Sequence, residues 1–245
     1  MTDTTSFAAA PSSTPAQQAT PLPFDAVLFD CDGVLVDSEP ITGAVLRDML
    51  EERGWTLTHA EVMRIFVGKA VKDESALIEA QTGRPLTPQW FAEFWQRRNE
   101  RLQAELVAIP GAPEAVRRIH AAYGGRIACA SGADRGKIEL QLRKIDLIDC
   151  FDGRYFSGHD QPRSKPYPDV YLHAAAALGV DPKRCAVVED TVTGATAGVA
   201  AGATVFGYNP GGPGHSATTD LLAAGVTRVF GSMAEIADWL TRPAD

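Results

Sequence analysis

Short runs of apolar residues alternate with helix-like stretches from Phe24 onward. The apolar runs, which we predict to be strands, are Phe24–Asp30, Arg126–Ala130, Cys185–Val188, Ala203–Phe206 and a weaker run at Thr227–Phe230. The stretches between them, which we predict to be helices, are Ala112–Ala122, Arg135–Lys144, Pro168–Leu178 and Gly194–Ala201. Strands that are apolar on both faces are typical of parallel sheets covered by helices on both sides. The alternation therefore predicts a doubly wound, Rossmann-like α/β sheet.

One segment, from Ser38 to about Leu106, interrupts this alternation with helix-like patterns alone. The predicted helices of this segment are Ile41–Arg53, His59–Phe66, Lys72–Gln81 and Gln89–Leu106. Glycines and prolines separate them, as is typical of breaks between helices. A helical insert of this length, directly after the first strand, predicts a cap over the edge of the sheet. The predicted parts are a disordered tail over residues 1–22, an α/β catalytic core over residues 23–37 and 108–245, and an all-helical cap over residues 38–107.

Composition narrows the class of protein. Apolar residues make up 45% of the chain and charged residues 22%, which is ordinary for a globular protein. The net charge of −8, without a basic block, argues against binding to nucleic acid. Apolar runs fall well short of the roughly 20 residues that a membrane span needs, and the N-terminus lacks the pattern of a secretory signal. We therefore expect a cytoplasmic protein, a monomer or a small homo-oligomer, with neither nucleic-acid nor membrane partners.

Polar residues gather where the predicted strands end. Asp30, Cys31 and Asp32 follow the first strand, Ser131 and Gly132 follow the second, and Glu189 and Asp190 follow the third; Lys165 precedes a helix. Because ligands bind outside the carboxyl ends of the strands in open α/β sheets, these side chains are expected on one rim. Each one alone is more simply a turn, a helix cap or a surface charge. Jointly they fit one chemical task.

That task is phosphoryl transfer. A phosphate monoester is dianionic, so a carboxylate attacks it only where cations reduce the repulsion, and Mg²⁺ held by carboxylates does so. Asp30 can act as a covalent nucleophile, and Asp32 can protonate the leaving oxygen and then deprotonate the hydrolytic water. Lys165 adds a fixed positive charge, and Ser131 with nearby backbone N–H groups can bind the phosphoryl oxygens. The expected partner is a small phosphorylated metabolite.

At this point the motifs resemble those of a known family. FDCDGVLVDSE is similar to the first motif of the haloacid dehalogenase-like superfamily, and Ser131, Lys165 and Glu189-Asp190 match its second, third and fourth motifs in order. The resemblance implies a phosphatase or phosphomutase with a helical cap. It implies that Mg²⁺ is bound by the Asp30 side chain, the Asp32 carbonyl and Asp190, with Glu189 assisting directly or through water. It also implies that Gly33 and Gly132 lie beside the bound phosphate.

Choosing within the family depends on smaller features. Dehalogenase members lack the second aspartate, so Asp32 argues against that activity. β-Phosphoglucomutase-like members carry a cap histidine where Thr42 stands and a phosphate-binding arginine after a cap Gly-x-x, whereas Gly68 is followed by Lys69, Ala70 and Val71. Both departures favour water as the acceptor, and the segment around Lys165 resembles sugar-phosphate phosphatases of the 6-phosphogluconate type.

Three readings stay open. The favoured one is a phosphatase, the second is a β-phosphoglucomutase-like phosphomutase, and the third is a phospho-accepting signalling module. Lys69 and Lys72 are candidates to bind a distal acidic group of the substrate or are simply solvated. The five histidines show no metal-ligand spacing, so structural roles are expected for them.

Overall fold

A computed structural model describes residues 21–66, 69, 71–212 and 215–244. The predicted tail up to residue 20 lies outside these residues, as do Gly68 and Ala70 of the sequence compared with the mutases and Asp245 of the predicted core. Among the helices of the described part, none combines the length and the apolar character that crossing a membrane requires.

A parallel sheet of six strands forms the centre of the fold, in the order β3-β2-β1-β4-β5-β6. The strands are β1 (Ala26–Phe29), β2 (Ile127–Ser131), β3 (Tyr155–Ser157), β4 (Cys185–Glu189), β5 (Thr204–Tyr208) and β6 (Arg228–Phe230). The order reverses at β1, which lies between β2 and β4. Phe29, the last residue of β1, is opposite Cys129 of β2 and Val188 of β4, so the three strands end at the same edge of the sheet, within two residues of one another. The predicted doubly wound α/β fold is confirmed.

Helices cover both faces of this sheet. The α-helices of the described residues are α1 (Glu39–Glu51), α2 (His59–Phe66), α3 (Ser75–Thr82), α4 (Pro88–Glu105), α5 (Ala112–Ala122), α6 (Arg135–Lys144), α7 (Ile148–Phe151), α8 (Asp169–Ala177), α9 (Val192–Ala200), α10 (Thr218–Ala223) and α11 (Met233–Thr241), and those that pack on the sheet come from α5 to α11. Alternate residues of β1 point to opposite faces. Val27 and Phe29 belong to one buried cluster, and Ala26 and Leu28 belong to another. This double coverage explains why the strand reads as a continuous apolar run.

The helices α1 to α4, which we call the helical insert, form a third apolar cluster of their own around Leu50, Ile78 and Phe94. A buried arginine of the insert, Arg98 on α4, lies 2.8 Å from Asp134 at the start of α6. The insert is therefore tied to the sheet region near the end of β2. Its division from the core at residues 38 and 107 stays a prediction.

The structure also contains elements that the sequence pattern did not predict: strand β3 and helices α7, α10 and α11. Strand β3 has three residues and helix α7 has four, too few for a period to be recognised. Strand β3 nevertheless pairs with β2 from Cys129 to Ser131. The sheet consequently has one more strand than predicted.

Candidate active site

The predicted site residues meet at the carboxyl ends of β1, β2 and β4. Asp30 follows β1 directly, Ser131 is the last residue of β2, and Glu189 is the last residue of β4. Lys165 reaches the same place from the loop before α8, with its Nζ 2.7 Å from Asp30 Oδ1. The rim that the sequence predicted from strand ends alone is therefore present.

Asp30 is a buried carboxylate, 7% exposed. Burial raises its pKa to about 7; Lys165 opposes this rise, and the negative charges of Glu189 and Asp32 add to it. An isolated carboxylate at this position would cost several kcal/mol. The ammonium group of Lys165 offsets part of that cost at short range, and Asp30 lines the cavity described below.

Lys165 is held from two further sides. Its Nζ donates to Glu189 Oε1 at 2.6 Å and to the phenol oxygen of Tyr171 at 2.9 Å, and that phenol donates to the same oxygen of Glu189 at 2.5 Å. Burial would lower the pKa of Lys165, but the carboxylates of Asp30 and Glu189 outweigh it and raise that pKa well above its usual value. The lysine is therefore a permanent positive charge with a fixed position.

Glu189 has both oxygens engaged by the protein. Oε1 accepts from Lys165 and Tyr171, while Oε2 accepts from the backbone N–H of Asp190 at 3.2 Å. The carboxylate also packs directly on Gly194 of α9, where an added Cβ would lie 1.9 Å from Oε1. Glu189 is thus locked by its surroundings.

Asp190 differs from Glu189 in the surroundings of its carboxylate. It is 1% exposed, and neither of its carboxylate oxygens has a hydrogen-bond partner among the described residues. Burial raises its pKa well above the usual range, and the nearby charges of Glu189 and Asp30 raise it further. Gly33, with a φ of +77°, lies against it, and an added Cβ there would be 2.1 Å from Asp190 Oδ2. A buried carboxylate without donors fits a site built to receive a cation.

Three carboxylates converge around this point. Ligand oxygens of Asp30, Glu189 and Asp190 all lie within 4.8 Å of one another. An all-oxygen set of this kind suits a hard cation such as Mg²⁺. The residues that the sequence predicted as metal ligands through their side chains are therefore close enough to share one ion.

Asp32 is held on the other side of Asp30. Its Oδ1 forms an ion pair with Lys137 Nζ at 2.8 Å and accepts hydrogen bonds from Gln141 Nε2 at 2.7 Å and from the hydroxyl of Ser38. Burial raises the pKa of Asp32, but the charge of Lys137 and the hydrogen bonds from these three donors outweigh it and lower that pKa. The two aspartates of the first motif therefore have different environments, which allows them different roles.

Ser131 and Gly132 line the cleft beside Asp30. Ser131 is 1% exposed, and its Oγ accepts the backbone N–H of Ala133 at 3.1 Å. Its hydroxyl hydrogen is then available to a ligand oxygen in front of Asp30. The predicted phosphate-binding position is consistent with this arrangement.

A cavity of about 380 Å³ opens above these residues and is bounded by the helical insert on the far side. Lys69 and Lys72 line it, and so do Arg98 and His159. Lys69 is half exposed and lies 3.3 Å from Glu74. His159, for which the sequence predicts a structural role, lines the cavity as well, and burial lowers the pKa of its imidazole. The cavity wall thus carries basic residues together with acidic ones, Asp73, Glu74 and Asp134.

Sequence reasoning missed the side chains that hold the predicted ones: Lys137 and Gln141 around Asp32, and Tyr171 around Lys165. One signal was available, since Lys137 and Gln141 are four residues apart on a predicted helix that begins at the rim, so they share a face. No equivalent signal pointed to Tyr171, which reads as an ordinary core aromatic of α8.

Comparison with known proteins agrees with this geometry. The family model of haloacid dehalogenase-like hydrolases matches residues 24–202. A 6-phosphogluconate phosphatase of Escherichia coli K12 is 34% identical over 183 residues, covering 74% of this chain and 81% of that protein. A phosphoglycolate phosphatase of Nitrosospira multiformis is 30% identical over 200 residues, covering 78% and 87%.

Among solved structures, a HAD-family hydrolase from Deinococcus radiodurans R1 with bound phosphate and sodium is 38% identical, with a TM-score of 0.72, and covers 91% of this chain and 100% of that one. These relatives confirm the predicted class of enzyme, a phosphoric monoester hydrolase. The chain therefore belongs to the haloacid dehalogenase-like hydrolases.

Proposed function

We propose that the protein is a Mg²⁺-dependent phosphatase that hydrolyses a small phosphorylated metabolite through an aspartyl-phosphate on Asp30. The observation that carries this proposal is the pairing of Asp30 with a fixed cation, Lys165, beside a buried Asp190 whose oxygens have no partner among the described residues. A nucleophilic carboxylate and a charge-neutralising site are thus adjacent.

In the first half of the reaction, a carboxylate oxygen of Asp30 attacks phosphorus, and the bond between phosphorus and the leaving oxygen breaks. Asp32, which its lowered pKa leaves ionised in the free site, takes up a proton from solvent as the dianionic ester binds and gives that proton to the leaving oxygen. In the second half, water attacks the phosphorus of the aspartyl-phosphate while Asp32 takes a proton from it. Asp30 is then released together with inorganic phosphate.

The surrounding residues stabilise the charge of the transferring phosphoryl group. Lys165 supplies positive charge at the nucleophile, and the Ser131 hydroxyl and the backbone at Gly132 are candidates to donate to phosphoryl oxygens. Such donors act strongly because they are buried and already oriented.

Mg²⁺ would be held by Asp30, Asp190 and the backbone carbonyl of Asp32. When bound, it would supply the positive charge that lowers repulsion between the dianionic ester and Asp30. Because both oxygens of Glu189 already accept protein donors, its contact with the ion is proposed to pass through water. On this view Glu189 acts mainly by holding Lys165.

For the substrate we propose a sugar phosphate such as 6-phosphogluconate. The similarity to the Escherichia coli phosphatase of that name supports this choice, as do Lys69 and Lys72 in the cavity wall, which can meet a second acidic group of the substrate. Arg98 also lines the cavity but is already paired with Asp134. The helical insert would act as the cap that excludes bulk water. A cytoplasmic location and a monomeric or small homo-oligomeric state stay predictions.

The test is a phosphate-release assay with Mg²⁺ over 6-phosphogluconate, phosphoglycolate, glucose 6-phosphate and nucleotides. We expect turnover that is lost on chelation of the metal and in Asp30→Asn. Absence of phosphate release from the whole panel, or full activity of Asp30→Asn, contradicts the proposal. Isomerisation stimulated by a sugar bisphosphate would favour the phosphomutase, and a long-lived phosphoprotein without turnover would favour the signalling module.

A further inference from the structure

Lys137 is a buried cation that the motifs of the site do not account for. It lies in the first turn of α6, is 6% exposed, and borders the cavity. A lysine in such a position is costly unless it is paired. Its partner is the carboxylate of Asp32, with Nζ 2.8 Å from Oδ1.

The same oxygen of Asp32 is held by two further donors. Gln141, one turn along α6 and fully buried, donates from Nε2 at 2.7 Å, and the Ser38 hydroxyl also donates to it. Gln141 is itself fixed, because the thiol of Cys31 donates to its Oε1 at 3.3 Å. Gln141, which holds Asp32 in place, is therefore itself held by Cys31.

The two oxygens of Asp32 are consequently unequal. Oδ1 is held by the ion pair with Lys137 and by two hydrogen bonds, whereas Oδ2 accepts no hydrogen bond from the described residues, and Asp32 lines the cavity. A carboxylate held at one oxygen by three groups cannot rotate about its terminal bond without breaking all of them. The position of Oδ2 is therefore fixed as well, although no described residue donates a hydrogen bond to it.

We infer that Lys137, together with Gln141, is a positioning residue of Asp32, which anchors Oδ1 so that Oδ2 is the oxygen that exchanges protons with the leaving group and with water. This inference rests on the proposed function. As the bond from Asp30 to phosphorus forms and the ester bond breaks, the proton on Oδ2 passes to the leaving oxygen. As water later attacks phosphorus, its proton passes to Oδ2 and the bond to Asp30 breaks.

The experiment compares two esters with different needs for a proton. The first is an alkyl ester: 6-phosphogluconate, or glucose 6-phosphate if the protein hydrolyses it faster. Its leaving group is an alkoxide, which requires protonation. The second is p-nitrophenyl phosphate, whose leaving group is a stabilised phenolate that does not require protonation. Because kcat/KM covers only the steps up to formation of the aspartyl-phosphate, it isolates this half of the reaction.

For Lys137→Met, we expect kcat/KM to fall about 100-fold with the alkyl ester, the size of a mispositioned general acid, and to change little with p-nitrophenyl phosphate. Aspartyl-phosphate hydrolysis is common to both esters, so where it limits turnover kcat falls equally for both. Lys144→Met, an exposed lysine on the same helix, is the matched control and should leave every constant unchanged.

An equal loss of kcat/KM on both esters would show that Lys137 acts on the phosphoryl group itself, and no loss on either would reduce it to a packing residue; both results overturn the inference. If Lys137→Met does not fold, Gln141→Met, which removes no charge, carries the same test. Asp32→Asn distinguishes a failure of the role of Lys137 from a failure of the proposed function. If Asp32→Asn loses activity selectively with the alkyl ester and neither Lys137→Met nor Gln141→Met does, the inference about Lys137 fails and the proposed function stands. If the wild type releases no phosphate from either ester, the proposed function itself is contradicted.

Discussion

Replacing Gly194 by alanine displaces the Glu189 carboxylate without removing any charged group of the site. Gly194 lies in the first turn of α9, and a Cβ added there would be 1.9 Å from Glu189 Oε1 and 2.1 Å from its Cδ. Real Cβ atoms essentially never come within 3.0 Å of such a neighbour. The Glu189 carboxylate or the start of α9 must therefore move by about 1 Å.

The expected effects on stability and activity differ in size. Alanine in a helix is favoured over glycine by about 0.8 kcal/mol, and overpacking of a buried site costs about 1–3 kcal/mol. The net loss is about 0–2 kcal/mol, or a fall in Tm of a few degrees for a chain of this length. In contrast, a shift of about 1 Å at the oxygen that holds Lys165 is expected to reduce kcat about 100-fold.

Gly198→Ala is the matched control. Gly198 lies on the same helix as Gly194, and its added Cβ would be 2.8 Å from Cγ2 of Val205 on β5, in an apolar contact. We expect a comparable fall in Tm, measured by thermal denaturation followed by circular dichroism, with an unchanged kcat. A folded Gly194→Ala protein with the kcat of the wild type would refute the view that Glu189 holds Lys165 in its working position.

Three further predictions concern the groups around the rim. Tyr171→Phe removes the phenol that bonds both Lys165 and Glu189, and should lower kcat about tenfold, which corresponds to about 1.4 kcal/mol in the barrier. Tyr123→Phe removes an equally buried phenol that donates to a backbone carbonyl at 2.8 Å, and should lower Tm while kcat stays constant. Equal kcat values for the two variants would contradict this. Asp190→Asn should keep the Tm of the metal-free protein at or above that of the wild type, because an unsatisfied carboxylate is removed, and should abolish the rise in Tm that Mg²⁺ gives the wild type; a rise that survives would place the ion elsewhere. Arg98→Met breaks the largely buried pair with Asp134 and should lower the free energy of unfolding by about 3 kcal/mol in urea, and an unchanged urea midpoint would show that the pair contributes nothing.

The sheet and the main site residues were predictable because each depends on local sequence and one topological rule. A buried parallel strand such as β1 reads as an apolar run, and parallel strands end at one edge. Asp30, Ser131 and Glu189 could therefore be assigned to one rim without knowledge of any side-chain position. The structure agrees with that assignment.

The supporting residues could not be found in this way. Gln141 and Asp32 are 109 residues apart, and their contact depends on where α6 packs and how its side chains point. Strand β3 was missed for a related reason, since three residues acquire their identity from pairing with β2 rather than from a period of their own. Local pattern thus predicts what stands at the ends of strands, whereas packing determines what holds it there.

In the proposed mechanism the phosphoryl group resides on Asp30 during turnover. Rapid acid quenching of the enzyme during steady-state hydrolysis of a ³²P-labelled ester, followed by proteolysis and mass spectrometry, tests it most directly. The proposed mechanism predicts that ³²P label, stable to acid and released by hydroxylamine, is found on the peptide that contains Asp30 and is absent from Asp30→Asn. Label on another residue, or turnover of the Asp30→Asn protein at the wild-type rate, would contradict it.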